Sequence, residues 1–149
     1  MIIAWLLAFV HLLALGIGLG AVWTRARVLS GALDRDRLEQ VFMADTLWGV
    51  AAALWIATGL VRAFGGIEKG AAYYLHSSAF HAKMALLAAV LILEVWPMVT
   101  LIGWRIRHKR AEPIDFGKSR ALARVSYAQA ALVVLMVLAA TAMARGIGA

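Results

Sequence analysis

The chain of 149 residues is 64% hydrophobic and 15% charged, whereas roughly a quarter of an average soluble domain is charged, so bilayer rather than water is the expected solvent. It has no cysteine, which excludes disulfides, thiolate metal sites and cysteine nucleophiles. A net charge of +7 would suggest nucleic acid in a soluble chain, but here the charge follows the loops and no nucleic-acid signature accompanies it.

Four spans of ~20 residues, the length a hydrocarbon core of ~30 Å demands, take up about half the chain, so a single membrane domain over 1–149 is expected. The pattern predicts helices over about 2–24, 37–64, 79–105 and 121–144. The first lacks the basic residues that open a signal peptide and reads as a retained helix. Asp36, three residues before Glu39, has the spacing of a capping box at the start of the second. Gly65 and Gly66 stop that helix. A loop through Lys69, with Tyr73 and Tyr74 at headgroup depth, leads to Ser77 and Ser78 as caps of the third. Pro97 lies inside the third helix and is expected to kink rather than end it, because apolar residues continue on both sides.

The loops set the orientation. Arg25, Arg27, Arg35 and Arg37 fall in the first connection, and Arg105, Arg107, Lys109, Arg110, Lys118, Arg120 and Arg124 in the third, together eleven of the fifteen basic residues. Only Arg62, Lys69, Lys83 and Arg145 fall on the other side. The positive-inside rule therefore predicts an all-α bundle of four transmembrane helices, N-out and C-out, as a multi-pass protein of a bacterial inner membrane.

Candidate functional residues are the polar ones that a membrane would otherwise reject, since an ionisable group in a span costs at least ~2.5 kcal/mol on insertion scales. His11 is the candidate in the first helix, on a stripe of Ala4, Ala8, His11, Leu15 and Gly18. Its small neighbours suit either close helix packing or the approach of a flat ring. The second helix carries Asp45, Trp48, Ala52, Trp55, Gly59 and Arg62 at heptad spacing. Asp45 and Arg62 cannot pair, because seventeen residues of helix separate them by about 25 Å. Arg62 either snorkels to the headgroups or binds an anion. The third helix opens with Phe80-His81-Ala82-Lys83-Met84 and carries Glu94 near its middle, where a carboxylate must be protonated, paired or facing water. A hydrogen bond between His11 and Glu94, placed at similar depth by these boundaries, is one way to satisfy both. His76 and His108 fall in loops, where a solvated role is expected.

The run from Trp48 to Arg62 with Thr58-Gly59, the His11 stripe followed by Arg25, and above all Phe80-His81-Ala82-Lys83-Met84-Ala85-Leu86 resemble an uncharacterised family of small four-helix bacterial membrane proteins. More distantly they resemble the HemJ-type protoporphyrinogen oxidases. That second resemblance implies heme b as cofactor, with His11 and His81 as metal ligands and Arg62 and Lys83 also at the cofactor. It implies an oxidoreductase, with Lys83 and Arg62 as catalytic candidates beside Glu94, which stands out by its place in the span. The likeness covers the first three helices. In the fourth, HemJ-type chains tend to show Asn-Glu-x-Pro, where this chain has Ser126-Tyr127-Ala128-Gln129.

Neutral imidazole is a good iron ligand, and bundle interiors are a usual place for a cofactor. The levels of His11 and His81 differ by ~10 Å or more at 1.5 Å per residue, so His11 is the favoured axial ligand. The expected function is a redox protein binding heme b or a related tetrapyrrole, with porphyrinogen or quinone as the redox partner. The alternative is a membrane subunit or scaffold without cofactor. Four helices leave few interior positions to bury a site, which favours a homodimer among lipids. A transporter built on Glu94 is the weaker expectation, because no inverted repeat or broken-helix pair is evident.

Overall fold

The computed structural model describes residues 2–66 and 75–146. Lys69, Tyr73 and Tyr74, which the sequence places in the second connection, lie outside the described residues. Among those described there are four helices, each long and apolar enough to cross a membrane, and no strand. They are α1 (Ile2–Leu29), α2 (Arg35–Phe64), α3 (Ser78–Lys109) and α4 (Ser119–Ala144). At 1.5 Å per residue even the shortest exceeds the ~30 Å hydrocarbon thickness, so the helices must tilt or project past it.

The boundaries show why parts of the pattern misled. The helix α1 continues to Leu29, past Trp23, because nothing in Thr24-Arg25-Ala26-Arg27 breaks a helix and Arg25 finds partners inside the bundle. The cap of α2 is Asp34, whose carboxylate accepts from the Arg37 backbone N–H at 2.8 Å. Asp36 is therefore a first-turn residue, favourable to the helix dipole, and not the cap. At the start of α3 the Ser77 hydroxyl accepts from the Phe80 N–H, as expected of a cap. Gly65 closes α2, its N–H returning to the Val61 carbonyl. Pro97 lies inside the continuous helix α3 and is buried.

α1 packs directly on α2 and on α4, and α4 on α3. Gly18 brings α1 close to α2, since a Cβ there would stand 3.4 Å from the Ala51 Cβ. α2 and α3 are bridged by side chains, such as Trp48 to Glu94 and Phe64 edge-on to Phe80. Two apolar clusters fill the interior. One joins Ala14, Val22, Trp48, Val90 and Val133 through the middle. The other joins Leu29, Leu38, Leu101, Trp104 and Leu122 at the basic end. Outward positions such as Leu12, Ile92, Val99 and Leu138 are exposed, as they must be where lipid is the solvent.

The orientation yields a direct expectation. A reporter fused after Ala149 should read as extracytoplasmic, by the charge rule. A cytoplasmic reading would reverse every inside and outside assignment that follows.

Candidate functional site: a buried arginine hub and a cavity in the other half of the bundle

Two polar features interrupt the apolar interior. The first surrounds Arg25, which is fully buried. A guanidinium carries five N–H donors in a rigid fork, and all of them have acceptors. Nε donates to the Ser126 hydroxyl at 3.0 Å. One terminal nitrogen donates to Asp45 and to Glu94, both at 2.8 Å. The other donates to the second oxygen of Glu94 at 2.9 Å and to the Gln129 side-chain oxygen at 2.7 Å. Glu94 also accepts from the Trp48 indole at 3.0 Å and from the Gln129 amide at 2.6 Å. Arg105 holds the other oxygen of Asp45 at 3.0 Å.

Two cations thus face two carboxylates, and one residue or more from every helix takes part. The partner of Glu94 is Arg25, not His11, because the true extent of α1 brings Arg25 to the level of Glu94 and leaves His11 nearer the other end. Glu94 is therefore interior and paired, with a side chain 20% exposed. Glu94→Gln removes the bidentate acceptor and unbalances the charge. It should lower the unfolding temperature of the detergent-solubilised protein, at a cost of about 1.5–3 kcal/mol for hydrogen bonds to a charged group. An unchanged melting curve would mean that Glu94 is not bonded as described.

The second feature is a cavity of about 290 Å³ in the other half of the bundle, lined by residues of all four helices. His11, Trp55, Gly59, Arg62, Lys83 and Leu87 are among its walls, and Ala8, Met84, Met136, Ala140 and Thr141 complete much of the rest. The lining explains the local sequence. Gly59 lets the imidazole lie close against α2, since a Cβ there would stand 3.1 Å from His11 Cε1 and press on the ring. His11 is buried, and its Nδ1 lies 2.9 Å from the Thr58 hydroxyl oxygen. That hydroxyl also lies 2.7 Å from the Leu54 carbonyl, to which it donates, an arrangement in which it is able to accept from an Nδ1–H of the imidazole. The Trp55 ring lies 5.7 Å from the His11 ring. The Trp55 indole N–H is buried with no acceptor among the described residues.

One family, described as a predicted membrane protein family (DUF2214), matches residues 3–148. The chain belongs to that family. No curated protein and no solved structure matches it, and no comparison links it to the HemJ-type oxidases. The family match runs through all four helices, so the hub and the cavity both lie within it.

The sequence candidates divide between the two features. His11, Arg62 and Lys83 come together in the cavity wall, and Glu94 belongs to the hub. His81 is exposed and lies outside the cavity lining, so the structure does not bring the two histidines together there. His108 stands half-buried at the basic end, 3.5 Å from Glu39 and edge-on to Phe42, and is not simply solvated. Sequence reasoning missed Arg25, Thr58, Ser126 and Gln129. The signal for the last two was present: two polar side chains three apart on an apolar helix share one face. What distinguished this chain from the HemJ-type pattern in the fourth helix is the part of α4 that clasps Arg25.

Proposed function

We propose that this member of the family is a membrane redox protein that holds heme b or a related tetrapyrrole in the outer cavity, with His11 as its axial imidazole. The observation that carries the reading is the buried His11 in the cavity wall, with its Nδ1 held 2.9 Å from the Thr58 hydroxyl. A metal-ligating histidine has its other ring nitrogen held in this way, which fixes the tautomer and turns the lone pair towards the ligand. Gly59, Ala8 and Ala140 give a flat ring room beside the imidazole. Arg62 and Lys83 bring positive charge to the wall, where ring carboxylates would be received by charge-assisted hydrogen bonds. Met84, Met136 and Met143 line the same space and offer thioethers, which would be able to ligate a heme iron. The donor set fits a heme held by one histidine. Among the described residues no group of three or more His, Asp or Glu side chains suits a bare metal ion. When bound, such a group supplies one-electron chemistry, and the protein supplies its position, its axial base and an apolar surround.

A quinone is the second reading, favoured by two observations. The cavity volume of about 290 Å³ is at the lower end of the ~300–1,000 Å³ usual for small-molecule sites. The acceptor that the Trp55 N–H lacks is what a ring carbonyl would provide. The test is a titration of pigment-free protein in detergent with hemin and, separately, with a short-chain benzoquinone. Hemin should give a saturable Soret shift at one per chain, with Arg62→Gln and Lys83→Gln each weakening it roughly tenfold, the size of one good polar contact. Quenching of tryptophan fluorescence by the quinone without any hemin response would replace the first reading with the second. Response to neither would leave a scaffold without cofactor.

A further inference from the structure

At the basic end of the bundle, on the outer side of the α1–α4 seam, Trp23 and Tyr127 meet edge to face with ring centroids 5.1 Å apart. Trp23 is 51% exposed, so the pair stands at the surface and not in the core. Helical periodicity puts Arg27 on the face of Trp23, four residues further along α1, and Arg124 on the face of Tyr127, three residues back along α4. The two helices run antiparallel, so both steps lead the same way, about one turn of 5.4 Å towards the basic end. Two arginines on neighbouring helices are thus displaced in the same direction from an aromatic pair, each by about one turn. Both are exposed. Among the described residues neither has a hydrogen bond or an ion pair, in contrast to Arg25 and Arg105 close by in sequence or space. Arg120, a further turn down α4, is exposed on the same face. On the apolar side of the pair, Gly20 continues the Trp23 face, and a Cβ there would meet nothing within 4 Å.

We propose that this seam binds one anionic phospholipid of the adjacent leaflet. Its phosphate would lie between Arg27 and Arg124, its glycerol region against Trp23 and Tyr127, and an acyl chain along the open track at Gly20. Charge complementarity selects the occupant. A planar guanidinium matches phosphate oxygens bidentately, amphipathic aromatic rings settle at headgroup depth, and basic pockets between helices at this depth suit acidic headgroups. General attraction of the basic end for the leaflet would need only charge. It would not need two arginines on adjoining helix faces one turn from an aromatic pair. The proposal is independent of what the outer cavity holds.

Native mass spectrometry of the full chain tests it, after incubation with phosphatidylglycerol or phosphatidylcholine of the same acyl chains. The wild type should retain one phosphatidylglycerol at roughly tenfold or greater preference, as expected for two basic groups at the membrane surface. The double variant Arg27→Gln with Arg124→Gln should fall to near parity between the two lipids. Lys109→Gln with Lys118→Gln, which removes the same charge from the same end, should keep the preference. Size-exclusion profiles establish that each variant is folded, and the exposure of all four positions makes that the expected result. Equal retention of the two lipids by the wild type would overturn the proposal. So would an equal loss of preference in the lysine variant, because diffuse charge would then account for the binding.

Discussion

Arg25→Ala should abolish the accumulation of folded protein. Removing one partner of a buried ion pair costs about 3–5 kcal/mol, because the groups left behind remain buried and unpaired. Here the substitution leaves the Glu94 carboxylate without its buried cation, takes the Arg25 donor from Ser126 and from the Gln129 oxygen, and weakens Asp45. A loss of that size is a large part of the ~5–15 kcal/mol that separates a typical folded domain from its unfolded state. Arg25→Lys is informative beside it. Lysine keeps the charge but has three donors on a point-like head in place of five in a planar fork, so it cannot reach Ser126, Asp45, Glu94 and Gln129 at once. It should rescue only in part. The check is the yield of monodisperse protein in detergent, and a normal yield of Arg25→Ala would remove the hub as the element that sets the bundle. Its location explains the expectation: the hub lies between the two apolar clusters and joins all four helices, so it fixes their mutual register where lipid-facing apolar surface gives no preference.

On the proposed cavity reading, His11→Ala should abolish heme retention while the protein stays folded. The substitution removes the imidazole proposed to hold the iron and loosens only the Trp55 side of the middle cluster, while the bonds of the hub are made by other residues. Thr58→Val should show an intermediate result. It keeps the imidazole and removes the acceptor of Nδ1–H, so the tautomer is no longer fixed, and loss of such a supporting partner typically costs 10–100-fold in ligand affinity. Thr58→Ser restores the hydroxyl and should restore most of the binding. Wild-type retention of heme by His11→Ala would place the ligand elsewhere, with the exposed His81 the next candidate.

These two predictions also show what the sequence could and could not reveal. The four spans were legible because hydrophobic length is a strong requirement in a bilayer, and Ser77 and Gly65 ended helices as their chemistry suggests. Glu94 stood out for the same reason: a carboxylate so far inside an apolar run must have a partner. The partner itself was not legible. Arg25 lies close to the end of an apolar run, in company with Arg27, and a cation there reads as the first residue of a loop. Nothing local shows that Arg25 turns inward while Arg27 turns outward, since that follows from which face of α1 meets α2 and α4. The spacing to Glu39 points to Asp36 as the cap of α2, whereas the extended backbone at Asp34, with its side chain accepting from the Arg37 N–H, makes Asp34 the cap. In the cavity, His11 was visible as a buried titratable group, but Thr58 was not visible as its partner, because a contact across 47 positions leaves no periodic trace. The depth argument against pairing His11 with His81 used helix rise alone. In the structure His11 lines the cavity and His81 does not.

The most direct test of the account is the visible absorbance of the protein purified from cells with ample heme. The cavity reading predicts a Soret band, and an α band that sharpens on reduction, in the wild type, and neither band in folded His11→Ala. A colourless wild-type protein from such cells, with no Soret band after added hemin, would contradict it.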